Sequence, residues 1–159
     1  MGETVQNIAR GIDCYSFRVP LGVTAGVAPF NFPVMIPLWM IPMAITTGNT
    51  FVLKPSERVP SASNIIARLC KEVGLPNGVF NIVHGGFDTT KMICEHPAIR
   101  AISFVGGNNA GEYIMNEGAK RGKRVQSNMA AKNHGVVMPD YEKEDAINNI
   151  IGAAFGATG

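Results

Sequence analysis

The stretch A-P-F-N-F-P at residues 28–33, the apolar run that follows it and T-F-V-L-K-P-S-E at residues 50–57 decide the fold of this chain. Thr50 to Lys54 is a continuous run of the kind found in strands that are buried on both faces of a parallel sheet. The run from Pro33 to Thr47 is helix-like, although its two internal proline residues are expected to kink it. A strand, a loop, a helix and a second strand in this order predict an α/β unit.

The rest of the chain repeats this alternation. Further strands are predicted at 17–28, 79–83, 101–105, 124–128 and 135–138, and further helices at 61–73, 88–96, 110–120 and 141–155. The pattern predicts an α/β fold with a Rossmann-like, mostly parallel sheet flanked by helices. Residues 1–16 are polar and mixed, and they are predicted to form an N-terminal arm ahead of one domain over 17–159.

The composition is that of a globular, core-forming chain, with 46% hydrophobic and 16% charged residues over 159 positions. The net charge of +2 is too small to argue for a nucleic-acid partner. The apolar stretch Phe32 to Thr47 is shorter than the roughly 20 residues that a membrane span needs. The basic cluster at 120–124 ends a predicted helix and is interpreted as a solvated face. Cys14, Cys70 and Cys94 show no zinc spacing, which predicts no metal site and fits a reducing compartment.

The candidate functional residues lie just after the predicted strands, because ligands of open α/β sheets bind beyond the carboxyl ends of the strands. These segments are 28–31, 54–58, 84–87, 106–109 and 128–132. Lys54 and Glu57 offer a cation and a carboxylate, a pair that can hold the hydroxyl groups of a ribose. Each double glycine, at 85–86 and 106–107, lets the backbone of a helix N-terminus approach an anion such as a pyrophosphate. One double glycine alone is more readily explained as a tight turn, but the strand ends together predict a nucleotide site.

Asn31 offers an amide donor in a loop that Pro29 and Pro33 stiffen, because each proline fixes its own φ and restricts the residue before it. A rigid donor suits a charge that appears only in a transition state. His84 is interpreted as a hydrogen-bonded structural residue. No cysteine is a convincing nucleophile, and no Ser/His/Asp arrangement is visible.

The motifs A-P-F-N-F-P, L-K-P-S-E, S-F-V-G and N-M-A-A-K-N-H resemble the aldehyde dehydrogenase superfamily over essentially the whole chain. Phe30 stands where most members have Trp, and K-P-S-E-R-V-P at 54–60 and A-K-N-H-G-V-V-M-P-D at 131–140 point to the CoA-acylating branch. The resemblance implies an NAD-dependent enzyme that oxidises methylmalonate or malonate semialdehyde to propionyl-CoA or acetyl-CoA with loss of CO2. It also implies a homotetrameric parent, located in the mitochondrial matrix if the source is eukaryotic and in the cytoplasm otherwise.

The resemblance further implies six positions at the NAD site: Ala28, Phe30, Lys54, Glu57, Arg58 and Gly107. Lys54 and Glu57 would hold the adenosine ribose, with Arg58 close by. Gly107 stands where the family usually has Ser at the pyrophosphate, so that hydroxyl contact is missing. Asn31 would donate its side-chain amide to the oxyanion of the thiohemiacetal.

Two further matches concern the chemistry. Asn128 stands where most members have a general-base Glu, and an amide cannot deprotonate water, which fits release of the thioester to CoA. The family's nucleophilic Cys follows the motif F-G-x-x-G-Q-R, whose beginning matches 155–159, so the chain is expected to be truncated before that Cys and to be inactive alone. Two alternatives are a non-catalytic NAD-binding or subunit-interaction module left by truncation and a hydrolytic aldehyde dehydrogenase, against which Asn128 argues.

Overall fold

The computed structural model describes residues 2–130 and 133–156. Its elements in chain order are β1 (Gly2–Ala9), β2 (Ile12–Phe17), β3 (Val23–Val27), α1 (Met35–Thr46), β4 (Thr50–Lys54), α2 (Ser61–Glu72), β5 (Phe80–Ile82), α3 (Phe87–Glu95), β6 (Ile99–Val105), α4 (Asn108–Lys120), β7 (Arg124–Asn128) and α5 (Lys143–Phe155). None of these helices is long and apolar enough to span a bilayer. The motif positions 131–132 and 157–159 lie outside the described residues.

Five parallel strands form the central sheet in the order β5-β4-β3-β6-β7. The chain winds outward from β3 through β4 to β5, then crosses back to place β6 and β7 on the other side of β3. The strand order therefore reverses between β3 and β6, which is where open α/β sheets leave a crevice at the carboxyl ends of their strands. The predicted fold class, a parallel sheet flanked by helices, is confirmed.

Helices cover both faces of this sheet. α1 packs against β3 and β4, whereas α3 packs against β6 and α4 against β6 and β7. The first face has the buried core Ala28, Ile36, Met40, Ile41, Phe51 and Leu53. The second has Ala25, Val27, Ile93, Cys94, Ile99, Ile102, Phe104 and Ile114. Because burying apolar side chains is the main favourable term in folding, these two clusters fix where the strand ends lie.

The N-terminal segment folds back on itself instead of forming one extended arm. β1 and β2 pair antiparallel from Gly2 opposite Phe17 to Ala9 opposite Ile12. Gly11 makes the turn with a φ of 73°, a left-handed conformation that glycine adopts without steric cost. The strand predicted at 17–28 is correspondingly split, because its first residue ends the hairpin and only Val23–Val27 joins the central sheet.

The chain divides into two compact units with a boundary after Met129. In the second unit α5 begins after Glu142, whose carboxylate accepts a hydrogen bond of 2.9 Å from the Asp145 amide. The strand predicted at 135–138 does not form. The described residues of this unit offer it no partner strand, and an unpaired β-segment leaves its backbone groups to water.

α3 and α2 each have one further feature. In α3, Gly86 holds the N-cap position and Asp88 lies in the first turn. The apolar side chains at the end of α2 are largely exposed, with Leu69 52% and Val73 83% accessible. α2 packs against β5, which is a three-residue strand at the edge of the sheet and can cover only part of that helix.

Lys123 departs from the predicted solvated cluster, because its side chain is buried. Its ammonium donates to the carbonyl oxygens of His96 and, at 2.7 Å, of Ile99. Burial lowers the pKa of Lys123, since the charged form loses its hydration. The residue therefore ties the end of α3 and the start of β6 to the segment that leads into β7.

Its neighbour Arg121 does lie at the surface, where it links two helices. The guanidinium reaches Glu117 at 2.6 Å and Glu95 of α3 at 3.2 Å. Hydrogen bonds from Lys120 and then Arg121 lower the pKa of the Glu117 carboxyl to about 2. The pairs are exposed, so water and salt screen them, and they contribute orientation between α3 and α4 more than stability.

Asn49 joins the end of α1 to the entry of β3. Its Oδ1 accepts from the Leu21 amide at 2.7 Å and the Gly22 amide at 3.1 Å, and its Nδ2 donates to the Ala44 carbonyl at 3.2 Å. We expect Asn49→Ala to lower the free energy of unfolding by about 1–2 kcal/mol, because several backbone groups lose their partners at once. Urea denaturation measures this, with Asn77→Ala in an exposed turn as the matched control. Equal midpoints for the two variants would contradict the assignment.

Candidate functional site

A cavity of about 460 Å³, the carboxyl-edge cavity, opens where β3, β4 and β6 end. The segments that follow four strands of the sheet supply most of its lining. These lining residues are Ala28, Pro29 and Phe30 after β3, Lys54, Ser56 and Glu57 at β4, Gly86, Phe87 and Thr90 at α3, and Gly106, Gly107, Asn109, Ala110 and Tyr113 between β6 and α4. Sequence-predicted segments from separate parts of the chain thus meet at one edge of the sheet.

Lys54 and Glu57 form the β4 side of the cavity. The Lys54 side chain is 5% exposed and donates to the Pro55 carbonyl at 3.0 Å and to the Glu57 carboxylate at 3.3 Å. Glu57 is 62% exposed, so a buried ammonium anchors an accessible carboxylate. A backbone hydrogen bond at Glu57, and then Lys54, lower the pKa of this carboxyl. The side chain is therefore an anionic hydrogen-bond acceptor at neutral pH.

The β3 side of the cavity is fixed to the β4 side by the backbone. The Ala28 amide donates to the Lys54 carbonyl at 3.1 Å, which continues the parallel pairing one residue past β3. Ala28 is buried, and Phe30 is 43% exposed. The β3 loop therefore presents its backbone and one ring to the cavity from a position set by the sheet.

The N-termini of α3 and α4 face this edge with glycine at both caps, Gly86 and Gly107, and no side-chain cap hydrogen bond. The first turn of α3 contains Asp88, whereas the first turn of α4 contains no acidic residue. Because an acidic side chain offsets the positive end of the helix dipole, α4 offers an anion the better site.

Gly106 and Gly107 differ in what their neighbours permit. A Cβ at Gly106 would lie 2.6 Å from the ring of Phe104, so close packing requires glycine there. The Gly106 amide donates to the Asn128 carbonyl at 3.1 Å, which holds the turn against the end of β7. A Cβ at Gly107 would meet nothing within 4 Å, so a serine would fit there. Packing therefore does not explain why this position has glycine instead of serine.

Three of the sequence-predicted residues do not line the carboxyl-edge cavity. Asn31 is exposed and follows Phe30 directly. Arg58 is also exposed, and its guanidinium carbon lies 5.0 Å from the centre of the Phe30 ring. Asn128 is the last residue of β7 and is exposed. Their proposed roles stay predictions.

An aromatic pair at the cavity was missed by sequence reasoning. Phe87 and Tyr113 lie with ring centres 5.0 Å apart and an interplanar angle of 54°. One ring opens α3 and the other belongs to α4, and only the packing of these two helices brings them together. No local signal could have found the pair. His84, by contrast, has the structural contact expected of it, with Nε2 3.1 Å from Asn64 Oδ1.

The three cysteine residues, all of them within the described ranges, lie away from this cavity. Cys14 is exposed on β2, Cys70 is half-buried in α2 and Cys94 is buried in α3. Burial raises the pKa of the Cys94 thiol, which disfavours its nucleophilic thiolate form. None of the three cysteine residues lines the carboxyl-edge cavity.

The family model for the aldehyde dehydrogenase family matches residues 1–159, and the chain belongs to this family. It is 60% identical over all of its 159 residues to the mouse protein named methylmalonate-semialdehyde/malonate-semialdehyde dehydrogenase [acylating], mitochondrial, of which it covers 30%. The human protein of the same name gives the same identity and the same coverage. The chain thus spans about 30% of the length of these curated relatives.

Solved structures agree with this family. The crystal structure of methylmalonate-semialdehyde dehydrogenase from Oceanimonas doudoroffii superposes with a TM-score of 0.91 at 50% identity, over 98% of this chain and 32% of that one. A structure from Sinorhizobium meliloti 1021, assigned as a methylmalonate-semialdehyde dehydrogenase and complexed with NAD, gives a TM-score of 0.90 at 46% identity, with the same coverages.

Proposed function

We propose that this chain forms most of the NAD-binding domain of a CoA-acylating methylmalonate/malonate-semialdehyde dehydrogenase. Its parent would oxidise the semialdehyde to propionyl-CoA or acetyl-CoA with loss of CO2. The carboxyl-edge cavity is the observation that carries the proposal, since it joins a ribose-competent carboxylate to an open helix N-terminus. The names of the mouse and human relatives, and the NAD in the Sinorhizobium structure, support it. They do not favour the alternative of a non-catalytic module.

The residues that line the cavity have the chemistry that the ribose and the pyrophosphate of NAD require. Glu57 would accept hydrogen bonds from the ribose hydroxyl groups while Lys54 keeps the carboxylate in place. The α4 N-terminus at Gly107 would hold the pyrophosphate through backbone amides, without the serine hydroxyl usual in the family. Ala28 and Phe30 would line the site with backbone and ring. When bound, NAD supplies the hydride acceptor for aldehyde oxidation.

The remaining roles belong to two asparagine residues. Asn31 would donate its amide to the oxyanion, from a loop that Pro29 and Pro33 keep stiff. Asn128 cannot accept a proton from water, so it leaves the thioester to the thiol of CoA. The parent would be a homotetramer. In a eukaryote it would reside in the mitochondrial matrix, and the word mitochondrial in the names of the mouse and human relatives supports that organelle.

We expect Glu57→Ala to weaken NAD binding by about 1–3 kcal/mol, because the ribose hydroxyl groups lose a charged acceptor. The affinity for NADP relative to NAD should also rise, since the carboxylate no longer repels the 2′-phosphate of NADP. Titration calorimetry with both dinucleotides measures the two effects. Glu72→Ala, an exposed carboxylate at the end of α2, is the matched control. If Glu57→Ala binds NAD as tightly as Glu72→Ala, Glu57 is not a ribose ligand.

We expect a polypeptide restricted to these 159 residues to form no NADH from methylmalonate semialdehyde, NAD and CoA. None of its three cysteine residues lines the carboxyl-edge cavity, so no thiol can attack an aldehyde held there. The assay follows NADH absorbance, with the full-length mouse relative as the positive control. CoA-dependent NADH formation by the purified polypeptide would contradict this prediction.

A further inference from the structure

Asn128 ends β7, which lies at the edge of the central sheet with β6 as its neighbour. Burial alternates along this strand, with Ser127 partly buried and Gln126 and Asn128 exposed. Successive side chains of a strand point to opposite faces, so Asn128 shares a face with Gln126, which lines the apolar groove between α1 and β7. Asn128 therefore faces the side of the sheet that α1 covers, and the loop that carries Asn31 leads into α1.

On the other side of β7, Gly111 lets α4 lie directly on the end of the strand. Gly111 is buried, and a Cβ placed on it would lie 2.8 Å from both Ser127 Oγ and Met129 Sδ. These distances are about 1 Å shorter than the separation at which non-bonded atoms attract best. A side chain at position 111 would therefore displace Ser127 or Met129, the two residues that flank Asn128.

The end of β7 is anchored from this α4 side. Ser127 is held there by packing, because its Oγ is buried and has no hydrogen-bond partner among the residues that the structure describes. Met129 packs against the buried core between the sheet and the helices α3 and α4. The carbonyl of Asn128 accepts a hydrogen bond of 3.1 Å from the Gly106 amide. The backbone on both sides of Asn128 is thus fixed, while its side chain stays exposed on the opposite face.

We propose that Gly111 is a positioning residue, which acts through Ser127 and Met129 to fix the end of β7 and with it the side chain of Asn128. The proposal rests on the role proposed for Asn128 in transfer of the acyl group to CoA. Gly111 does not line the carboxyl-edge cavity, so a substitution there would reach the reaction through β7 and not through the cofactor.

The same helix offers a matched control at its other end. Gly118 is also buried in α4, and a Cβ placed on it would lie 2.6 Å from Val125 Cγ2. Gly118→Ala therefore makes the same change as Gly111→Ala, in the same helix and against the same strand, but three residues before Asn128. If glycine served only the packing of α4 on β7, the two substitutions would have equal effects at Asn128.

The first measurement compares amide chemical shifts in the 15N-labelled 159-residue chain. Gly111→Ala should shift the amides of Gly106 and Asn128, because movement of the strand end changes the hydrogen bond between these residues. Gly118→Ala should leave both amides unshifted. Met129→Ala makes room for the new methyl group, so the double variant Gly111→Ala/Met129→Ala should resemble the unsubstituted chain more closely than Gly111→Ala does.

The second measurement uses the mouse relative with its corresponding segment replaced by this chain. In that enzyme Asn128→Glu is expected to raise hydrolysis of the thioester relative to its transfer to CoA. Adding Gly111→Ala should reduce this gain about tenfold or more, since a displacement of about 1 Å can cost on the order of 10²-fold in rate. Adding Gly118→Ala should leave the gain unchanged. Titration calorimetry should give the same NAD affinity for both glycine variants.

Shift changes at Gly106 and Asn128 that are absent in Gly111→Ala, or equal in both glycine variants, would overturn the proposal. A hydrolysis gain that Gly111→Ala leaves intact would overturn it as well. If Asn128→Glu gives no gain with Gly111 in place, the role proposed for Asn128 fails, and the positioning of that role fails with it. If Gly111→Ala does not fold, Met129→Ala alone removes the same contact from the strand side and should also lower the gain, and an unchanged gain would contradict the proposal.

Discussion

Replacing Asn31 by Ala in a full-length enzyme that carries this segment is expected to lower turnover by about 10²–10³-fold, the usual loss when one oxyanion donor is removed. In the proposed role the amide would be aimed before the reaction, because Pro29 and Pro33 stiffen the loop that carries it. The loop then needs little reorganisation when negative charge develops on the substrate oxygen. Asn31 does not line the carboxyl-edge cavity, so NAD affinity should be largely unchanged.

The measurement is steady-state turnover together with NAD calorimetry, in the mouse relative with its corresponding segment replaced by this chain. Asn77→Ala, in an exposed turn outside the cavity lining, is the matched control. Full turnover in the Asn31→Ala enzyme would contradict the oxyanion role. An equal loss of turnover and of NAD affinity would instead indicate a distorted cavity.

The second large effect is expected at Asn128. Asn128→Glu in the same full-length enzyme should raise hydrolysis of the thioester relative to its transfer to CoA, because a carboxylate can take a proton from water and an amide cannot. A positioned general base typically contributes about 10²–10⁴-fold to such a step. Asn128 is exposed at the end of β7, and it is its backbone carbonyl that accepts from the Gly106 amide, so a change of side chain should leave that turn in place.

Partitioning of the acyl-enzyme between water and CoA measures this effect, from the ratio of free acid to acyl-CoA. Asn128→Gln keeps an amide and is the matched control, for which we expect the original ratio. An unchanged ratio in Asn128→Glu would show that the side chain at this position does not reach the attacking water.

The two parts of the cavity that are proposed to hold the ribose and the pyrophosphate could be located from the sequence, because their signals are local. Lys54 and Glu57 are three residues apart at the end of an apolar strand, and the structure joins them at 3.3 Å. Gly107 follows a strand and precedes a helix, and the structure gives it the N-cap of α4. Parallel strands place such segments at one edge of the sheet, so the fold class alone brought them together.

The features that were missed depend on contacts between distant parts of the chain. In the sequence, Lys123 is indistinguishable from the surface cations beside it. Only the packing of α3 and β6 brings the carbonyl groups of His96 and Ile99 to its ammonium. The Phe87 and Tyr113 rings meet only because α3 and α4 are neighbours. The exposure of the apolar side chains of α2 could not be predicted either, because periodicity shows which residues are apolar and not how wide the covering strand is.

An NMR titration of the 15N-labelled 159-residue chain with NAD tests most directly whether the carboxyl-edge cavity binds NAD. We expect amide shift changes at the cavity, led by Glu57, Gly86, Gly106 and Gly107. We expect no changes at the apolar groove between α1 and β7, lined by Trp39, Met43 and Val125 among others. Shift changes confined to that groove, or no changes at saturating dinucleotide in a chain that gives a folded spectrum, would contradict NAD binding at the cavity.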